Sequence, residues 1–172
     1  MKKGFSLIET LVAVTVLVGA ITGPLTLASQ GIKAASLFKN QLIASNLAQE
    51  GMELGRSRRD SNVLRAESWL TNLETVCLTA CSVRYDPRDN SAAQVVFISC
   101  PSGECPKFYI TPEGFYVQKS NPDVGDQETI FTRTIQITNV NVREVKITSR
   151  VTWQERFSQQ SIVLEENLLN WP

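Results

Sequence analysis

The sequence of 172 residues contains no histidine. This absence removes the side chain that most often acts as a general base and as a metal ligand. An excess of one charge is also missing, because 17 basic and 17 acidic residues cancel, so net charge predicts no binding of nucleic acid. No motif pairs two carboxylates or places a serine beside a lysine for catalysis. We therefore expect neither an enzyme nor a bound cofactor or metal.

One long apolar run lies near the N-terminus, from Phe5 to Ala28. A helix over these residues would be about 36 Å long, whereas the hydrocarbon core of a bilayer is about 30 Å thick. The run therefore predicts a membrane-spanning helix. Lys2 and Lys3 precede it and should stay in the cytoplasm, which places the rest of the chain outside.

Glu9 interrupts the start of this apolar run. An acidic residue at mid-membrane costs about 2.5–3.5 kcal/mol on insertion scales, and less near the interface. A simple anchor has no use for it, so something should compensate its charge. An α-amino group is the obvious candidate, and cleavage between Gly4 and Phe5 would create one at the correct depth.

The segment KKGFSLIETLVA, residues 2–13, resembles the class III signal of type IV prepilins and type II secretion pseudopilins. It has a short basic leader, a glycine before the cut, a phenylalanine after it and a glutamate four residues on. The resemblance implies that a prepilin peptidase cuts after Gly4 and methylates the Phe5 amine. It implies that Glu9 then pairs with the Phe5 amine of a neighbouring subunit. The implied partners are other pilin subunits, an assembly platform membrane protein and its ATPase.

Two other interpretations of the N-terminus stay open. The segment could be a plain signal anchor, with Glu9 lying at the interface. It could also be a cleaved secretory signal with a small-residue site at Thr26–Ala28, although an acid after the basic start argues against this. Gly23 and Pro24 weaken the helix from within, which predicts a kink or break. In pilins a proline in this region accompanies local melting of the helix on filament packing, and the resemblance implies the same here.

An amphipathic helix is predicted to continue through residues 29–60, with its regular part ending near Arg58. Apolar residues recur at spacings of three and four, which is typical of a buried helical face: Ile32, Ala35, Phe38, Leu42, Ile43, Leu47, Gly51 and Leu54. Gly51 and Gly55 should weaken its end.

Period-two alternation predicts strands after residue 60. Over residues 130–139, Arg133 shares a face with three apolar residues, and over 142–154 the inward face ends at Trp153. Residues 161–169 form a third candidate, and the short gaps predict an antiparallel meander with a hairpin at Asn139–Asn141. Shorter strands are expected at 82–85, 95–99, 107–110 and 115–119.

Further segments extend the resemblance to PilV-type minor pilin-like proteins: LAQEGMEL, RRDSN, FTRTI, VTW and NLLNW. The expected fold class is α+β, with a long N-terminal helix packed on a small antiparallel sheet. The expected parts are a leader at 1–4, a membrane helix at 5–28, an amphipathic helix at 29–60 and a β-rich extracellular head at 61–172. The implied function is that of a structural subunit, made as a single-pass membrane protein and then assembled into an extracellular filament. The alternative is a surface or filament-tip module that binds a host surface, DNA or a polysaccharide.

Cys77, Cys81, Cys100 and Cys105 all follow the membrane segment. An even number of cysteines in an exported chain predicts disulfides, while the spacings also allow a four-thiolate zinc site. If Ser82 lies opposite Ser99 in a hairpin, the bridges are nested, joining Cys81 to Cys100 and Cys77 to Cys105. Local pairs and a crossed pairing are the rivals.

Two acid-bearing loops, at residues 86–90 and 121–126, have the composition of turns. Calcium binding is conceivable in either, but neither has the ordered alternation of a calcium loop. Ordinary turns are the expectation, and Glu113 is likewise read as a turn acid.

Overall fold

The computed structural model describes Gly4 and residues 6–88, 95–155 and 158–170. Its elements are α1 (Leu7–Leu64), β1 (Cys81–Tyr85), β2 (Val95–Ser99), β3 (Lys107–Ile110), β4 (Tyr116–Gln118), β5 (Gln127–Asn141), β6 (Glu144–Glu155) and β7 (Ser158–Leu169). The helix packs on an antiparallel sheet, so the α+β fold class is confirmed. The chain divides into two compact units, Met1–Gln41 and Leu42–Pro172.

The first unit is helical from Leu7 onward, and its apolar side chains are exposed. Within the described residues, α1 is the one helix long and apolar enough to cross a membrane. This agrees with a membrane anchor at the predicted place. The stripe predicted from Ile32 to Leu42 is exposed in the structure, whereas in its continuation Ile43 is half-buried and Leu47, Gly51 and Leu54 are buried.

The sheet is organised around β5, the longest strand. One edge of β5 pairs with β6 along nearly its whole length, and β6 pairs in turn with β7. The other edge of β5 pairs with β3 and, at Ile135, with β1. The hairpins β1–β2 and β3–β4 therefore lie side by side along one strand.

The predicted faces of β5 and β6 are confirmed. Arg133 is buried on β5 together with Phe131, Ile135 and Ile137, and Trp153 is buried on β6. β5 is longer than predicted, β6 begins two residues later than predicted, and the turn between them lies at 142–143 instead of Asn139–Asn141. The reason is local, because the Asn141 side chain accepts a hydrogen bond from the Arg143 amide at 2.9 Å and starts the turn there.

Two glycines bring α1 close to the sheet. A Cβ at Gly51 would lie 2.7 Å from Ser149 Oγ, and one at Gly55 would lie 2.4 Å from Ile147 Cδ1. A methyl group at either position would force a neighbouring side chain to move. The two glycines therefore set how near the helix approaches β6, a role different from the predicted weakening of the helix end.

The helix ends at Leu64, six residues later than predicted. Arg58, the expected end, reaches across to the Val95 carbonyl. Asn62 is buried, and its side-chain amide donates to the carbonyls of Trp69 and Thr71 at 3.2 and 2.8 Å. These contacts hold the last turns of α1 against β2 and against the following loop.

The nested disulfide pairing is wrong. The bridges are local, joining Cys77 to Cys81 and Cys100 to Cys105. The reason is register, because Cys81 lies opposite Ser99, one residue away from the assumed alignment. A slip of one residue moves a side chain to the other face of a sheet. Cys81 therefore packs into the main core, while Cys100 packs with Cys105 and Ala80.

Candidate assembly segment and polar layer of the head

The helix α1 begins directly after Ser6. The Ser6 carbonyl accepts hydrogen bonds from the amides of Glu9 at 3.0 Å and Thr10 at 3.2 Å. Glu9 lies in the first helical turn, where the helix dipole favours a negative charge. Ser6 and Glu9 also have the spacing of a capping box, a local signal that the motif-based prediction did not use. Glu9 is exposed and can therefore meet a partner.

The surface of α1 beyond Glu9 is apolar and uncovered within the first unit. No charged residue occurs between Glu9 and Lys33. The exposed large apolar side chains over this stretch include Leu11, Val12, Val14, Val16, Leu17, Val18, Ile21, Leu25, Leu27 and Ile32. A surface of this kind needs lipid or protein around it.

The threonine hydroxyls of this stretch are satisfied within the helix. Thr10, Thr15, Thr22 and Thr26 each donate a hydroxyl hydrogen bond to a carbonyl three or four residues earlier, at 2.7–3.0 Å. Such internal bonds lower the cost of placing hydroxyls in an apolar medium. The helix continues through Gly23 and Pro24, so the predicted break is not a feature of this chain on its own. Melting on assembly stays a prediction.

Of the predicted processing residues, Gly4 is exposed, and among the described residues no atom lies within 4 Å of the position of a Cβ there. Lys2, Lys3 and Phe5 lie outside the described residues. The glycine side of the predicted cut is therefore open, and the geometry between Glu9 and the Phe5 amine stays a prediction.

The head contains a polar layer that the sequence predicted only in part. Arg133 is 1% exposed and donates hydrogen bonds to the carbonyls of Leu47 at 2.8 Å and Val83 at 3.1 Å, and to the Glu50 carboxylate at 3.2 Å. Its guanidinium lies 4.9 Å from the centroid of the Phe108 ring. Burial lowers the pKa of Arg133, and the Glu50 carboxylate opposes this shift.

This layer separates two apolar clusters. Gly51, Arg133 and Ser149 lie between a cluster around Phe131 and Trp153 and a cluster around Ile135 and Ile147. Alternation placed Arg133 on the inward face, but nothing in the sequence identified Glu50 as its partner. The available signal for this layer was the pair of glycines four residues apart on α1, Gly51 and Gly55, because such a pair marks a place where the helix backbone approaches another element closely.

The cysteines are not metal ligands in this structure, because all four are in disulfides. Across the described ranges, no group of three or more His, Cys, Asp or Glu residues is arranged to hold a metal ion. In the loop at 121–126, the Lys119 ammonium lies 2.6 Å from Asp123 and 2.5 Å from Asp126, so a side-chain cation already occupies the position between the acids. Part of the other acidic loop, residues 89 and 90, lies outside the described residues.

No protein-family model, curated protein or solved structure matches the chain. Its function is therefore inferred from its own residues. The most distinctive of them are the N-terminal motif, the acid in its apolar surface and the surface of the head.

Proposed function

We propose that the chain is a structural subunit of a type IV pilus or a type II secretion-like filament, assembled through α1. The observation that carries the proposal is Glu9, a lone exposed acid at the start of an uncovered apolar helix, set within a class III signal motif. An anchor that needed only lipid would be better without this charge.

The mechanism begins in the membrane, which holds the subunit before assembly. Lys2 and Lys3 keep the leader in the cytoplasm, and cleavage after Gly4 by a prepilin peptidase gives Phe5 a free amine, which is then methylated. The Phe5 ammonium group then pairs with Glu9 of a neighbouring subunit. Two unit charges about 4 Å apart interact by about 4 kcal/mol at an effective dielectric constant near 20. This is comparable to the cost of about 2.5–3.5 kcal/mol for an unpaired acid in the bilayer, so pairing can offset that cost and set the register between subunits.

The apolar face of α1 supplies the contacts between neighbouring subunits, and the ion pair between Glu9 and the Phe5 amine sets their alignment. An assembly platform protein and its ATPase would extract the subunit from the membrane into the filament, together with other pilin subunits. The head, held outside the membrane by the same helix, then forms the surface of the filament.

Glu9→Val tests the assembly step. The segment becomes more apolar, so insertion should not suffer, and cleavage should still occur. Recovery in filaments sheared from cells should fall at least about tenfold, the equivalent of about 1.4 kcal/mol per subunit contact. Thr10→Val is the matched control, because it changes a neighbouring polar residue and leaves the charge in place. Equal recovery of the Glu9 variant and the wild type would refute the pairing.

Gly4→Val tests processing separately. The variant should keep its leader, whereas mass spectrometry of the wild type should find a mature chain that begins at methylated Phe5. A wild-type N-terminus at Ser29 would instead establish a cleaved secretory signal.

A further inference from the structure

A groove of about 420 Å³ opens on the head where α1, the end of β1 and the β3–β4 turn meet. Its walls carry three aromatic rings and a proline, with two polar residues of α1 beside them: Tyr85, Pro87, Phe115, Tyr116, Asn46 and Glu50. Phe115 is 43% exposed, so a ring lies open at the mouth. Concave sites lined by aromatic side chains and a few polar groups are typical of small-molecule binding.

The turn that presents Phe115 is held in shape. The amides of Thr111 and Gly114 donate to the carbonyls of Phe115 and Thr111 at 2.9 and 2.8 Å, and the Phe115 amide donates to Thr111 Oγ1 at 3.3 Å. Gly114 adopts a φ of +90°, which glycine accepts without steric cost. The ring of Phe115 is therefore carried by a closed turn with little freedom to collapse.

The two walls of the groove are also tied together. Arg88 follows the wall of Tyr85 and Pro87, and its guanidinium lies 3.1 Å from the Glu113 carboxylate in the opposite turn. The same guanidinium is fixed by Asp86 at 2.8 Å. This bridge spans the two walls and favours the open form of the groove, which lowers the entropy cost of binding.

The polar groups at the groove suit hydroxyl groups. Within the part of the chain that the structure describes, the hydroxyls of Tyr85 and Tyr116 and the amide of Asn46 have no hydrogen-bond partner. They supply both donors and acceptors next to ring faces. Tyrosine of this kind offers a rigid, amphipathic contact at low entropy cost.

The charge at the groove selects a neutral ligand. Aromatic rings beside a carboxylate would ordinarily suit a cation. Here Glu50 already pairs with the buried Arg133 guanidinium at 3.2 Å, and Arg133 has no other carboxylate among its contacts in the described chain. A bound cation would compete for the counter-charge of a buried arginine, and an anion would face Glu50 directly. Cationic and anionic ligands are therefore both disfavoured, and the groove suits a neutral ring with polar edges.

We propose that this aromatic groove binds a neutral saccharide, with a pyranose ring against Phe115 and its hydroxyls bonded to Tyr85, Tyr116 and Asn46. The proposal goes beyond filament assembly, because it gives the head a ligand of its own. It also makes concrete the alternative that the head is a binding module.

The test uses the full chain in polyoxyethylene detergent micelles, which contain neither sugar nor ammonium groups. Saturation-transfer difference NMR with cellotriose, maltotriose and tri-N-acetylchitotriose should show transfer to at least one of them, with a Kd on the order of 1 mM. Phe115→Ala should weaken that binding about tenfold, and Tyr116→Phe, which keeps the ring, should weaken it by about threefold. Phe38→Ala is the matched control, because Phe38 is equally aromatic, 68% exposed and outside the groove. It should bind as the wild type does.

Three results would overturn the proposal. They are an absence of transfer to all three sugars, binding of tetramethylammonium in their place, and equal affinities for the wild type and both groove variants. A change in self-association on Phe115→Ala, without any sugar signal, would identify the groove as a contact between copies instead. Circular dichroism of each variant shows that the fold is kept. Because the assay uses unassembled protein, its outcome is independent of whether the chain forms filaments.

Discussion

Gly55→Ala is the sharpest test of how α1 lies on the sheet. At an open helical position this change should stabilise the helix by about 1 kcal/mol, because alanine has the higher helix propensity. Gly55 is not open, since the new Cβ would lie 2.4 Å from Ile147 Cδ1. Ile147 is fully buried, so its methyl group has no free space to enter. Overpacking of a core costs about 1–3 kcal/mol, and so we expect a net loss of about 1 kcal/mol of unfolding free energy.

A second substitution separates the clash from other effects. Ile147→Val removes Cδ1, and the next atom, Cγ1, lies 3.9 Å from the position of the new Cβ. Alone, this change should cost about 0.5–1.5 kcal/mol. Combined with Gly55→Ala it should cost less than the sum, because the added methyl group fills space that the isoleucine leaves. We expect a coupling of at least about 1 kcal/mol in the double-mutant cycle.

The assay is urea unfolding of the full chain in micelles, followed by tryptophan fluorescence, since Trp69 and Trp153 are both buried in the head. Gly31→Ala is the control for an open helical position, because no described atom lies within 4 Å of its Cβ position, and it should stabilise the protein by up to about 1 kcal/mol and not destabilise it. If Gly55→Ala stabilised the head, or if the two changes added within about 0.5 kcal/mol, the close approach of α1 to β6 would be refuted.

Arg133→Lys should cost about 3 kcal/mol of unfolding free energy, because an ammonium keeps the buried charge but cannot reach all the acceptors of the guanidinium. Arg133→Met should cost less, since it removes that charge. Urea unfolding would show the order of the two losses, and equal losses would contradict it. Non-reducing peptide mapping after cleavage at Arg84 should give two separate, internally bridged peptides, and a peptide that joins the two cysteine pairs would contradict the structure. The double substitution Cys100→Ala and Cys105→Ala should cost about 2 kcal/mol of unfolding free energy at most, because the disulfide closes a short loop. The head should lose stability on acidification below about pH 4.5, because carboxyl groups with lowered pKa values stabilise the fold only while they are ionised. Hydrogen bonds lower three such pKa values: Arg88 lowers that of Asp86, Thr111 that of Glu113, and Lys119 that of Asp126. Unfolding between pH 3 and 7 should show a shallower loss of stability in Asp126→Asn than in the wild type, and identical slopes would rule out this contribution.

The sequence was most informative where a strand is long and has one buried face. The alternation in β5 and β6 predicted which side chains turn inward, including Arg133 and Trp153, because burial of one face enforces period two. The start of α1 was equally legible, since an apolar run of this length is typical of a membrane-spanning helix. The acid at Glu9 drew attention because it breaks such a run.

The disulfide pairing failed for a reason visible in β2. Val95, Val96, Phe97 and Ile98 are all apolar, so alternation does not show which of them faces the core. A register one residue away looks equally good in the sequence, and the choice decides which cysteines meet. The Arg133–Glu50 pair could not be predicted for another reason, because its members lie 83 residues apart and only the tertiary fold brings them together.

The position of β5 has a consequence for the order in which the head can form. Synthesis proceeds from the N-terminus, so β1 to β4 emerge first, and they can make only their two local hairpins. Cys81 of β1 meets Ile135, and Lys107 of β3 meets Thr132, so both hairpins wait for the same later strand. Until β5 arrives, the sheet-facing side of α1 can meet only part of its core, such as Leu73, Val83 and Phe97, and the apolar surface left exposed favours aggregation. An anchor that keeps each nascent chain apart in a bilayer would protect this head during that interval.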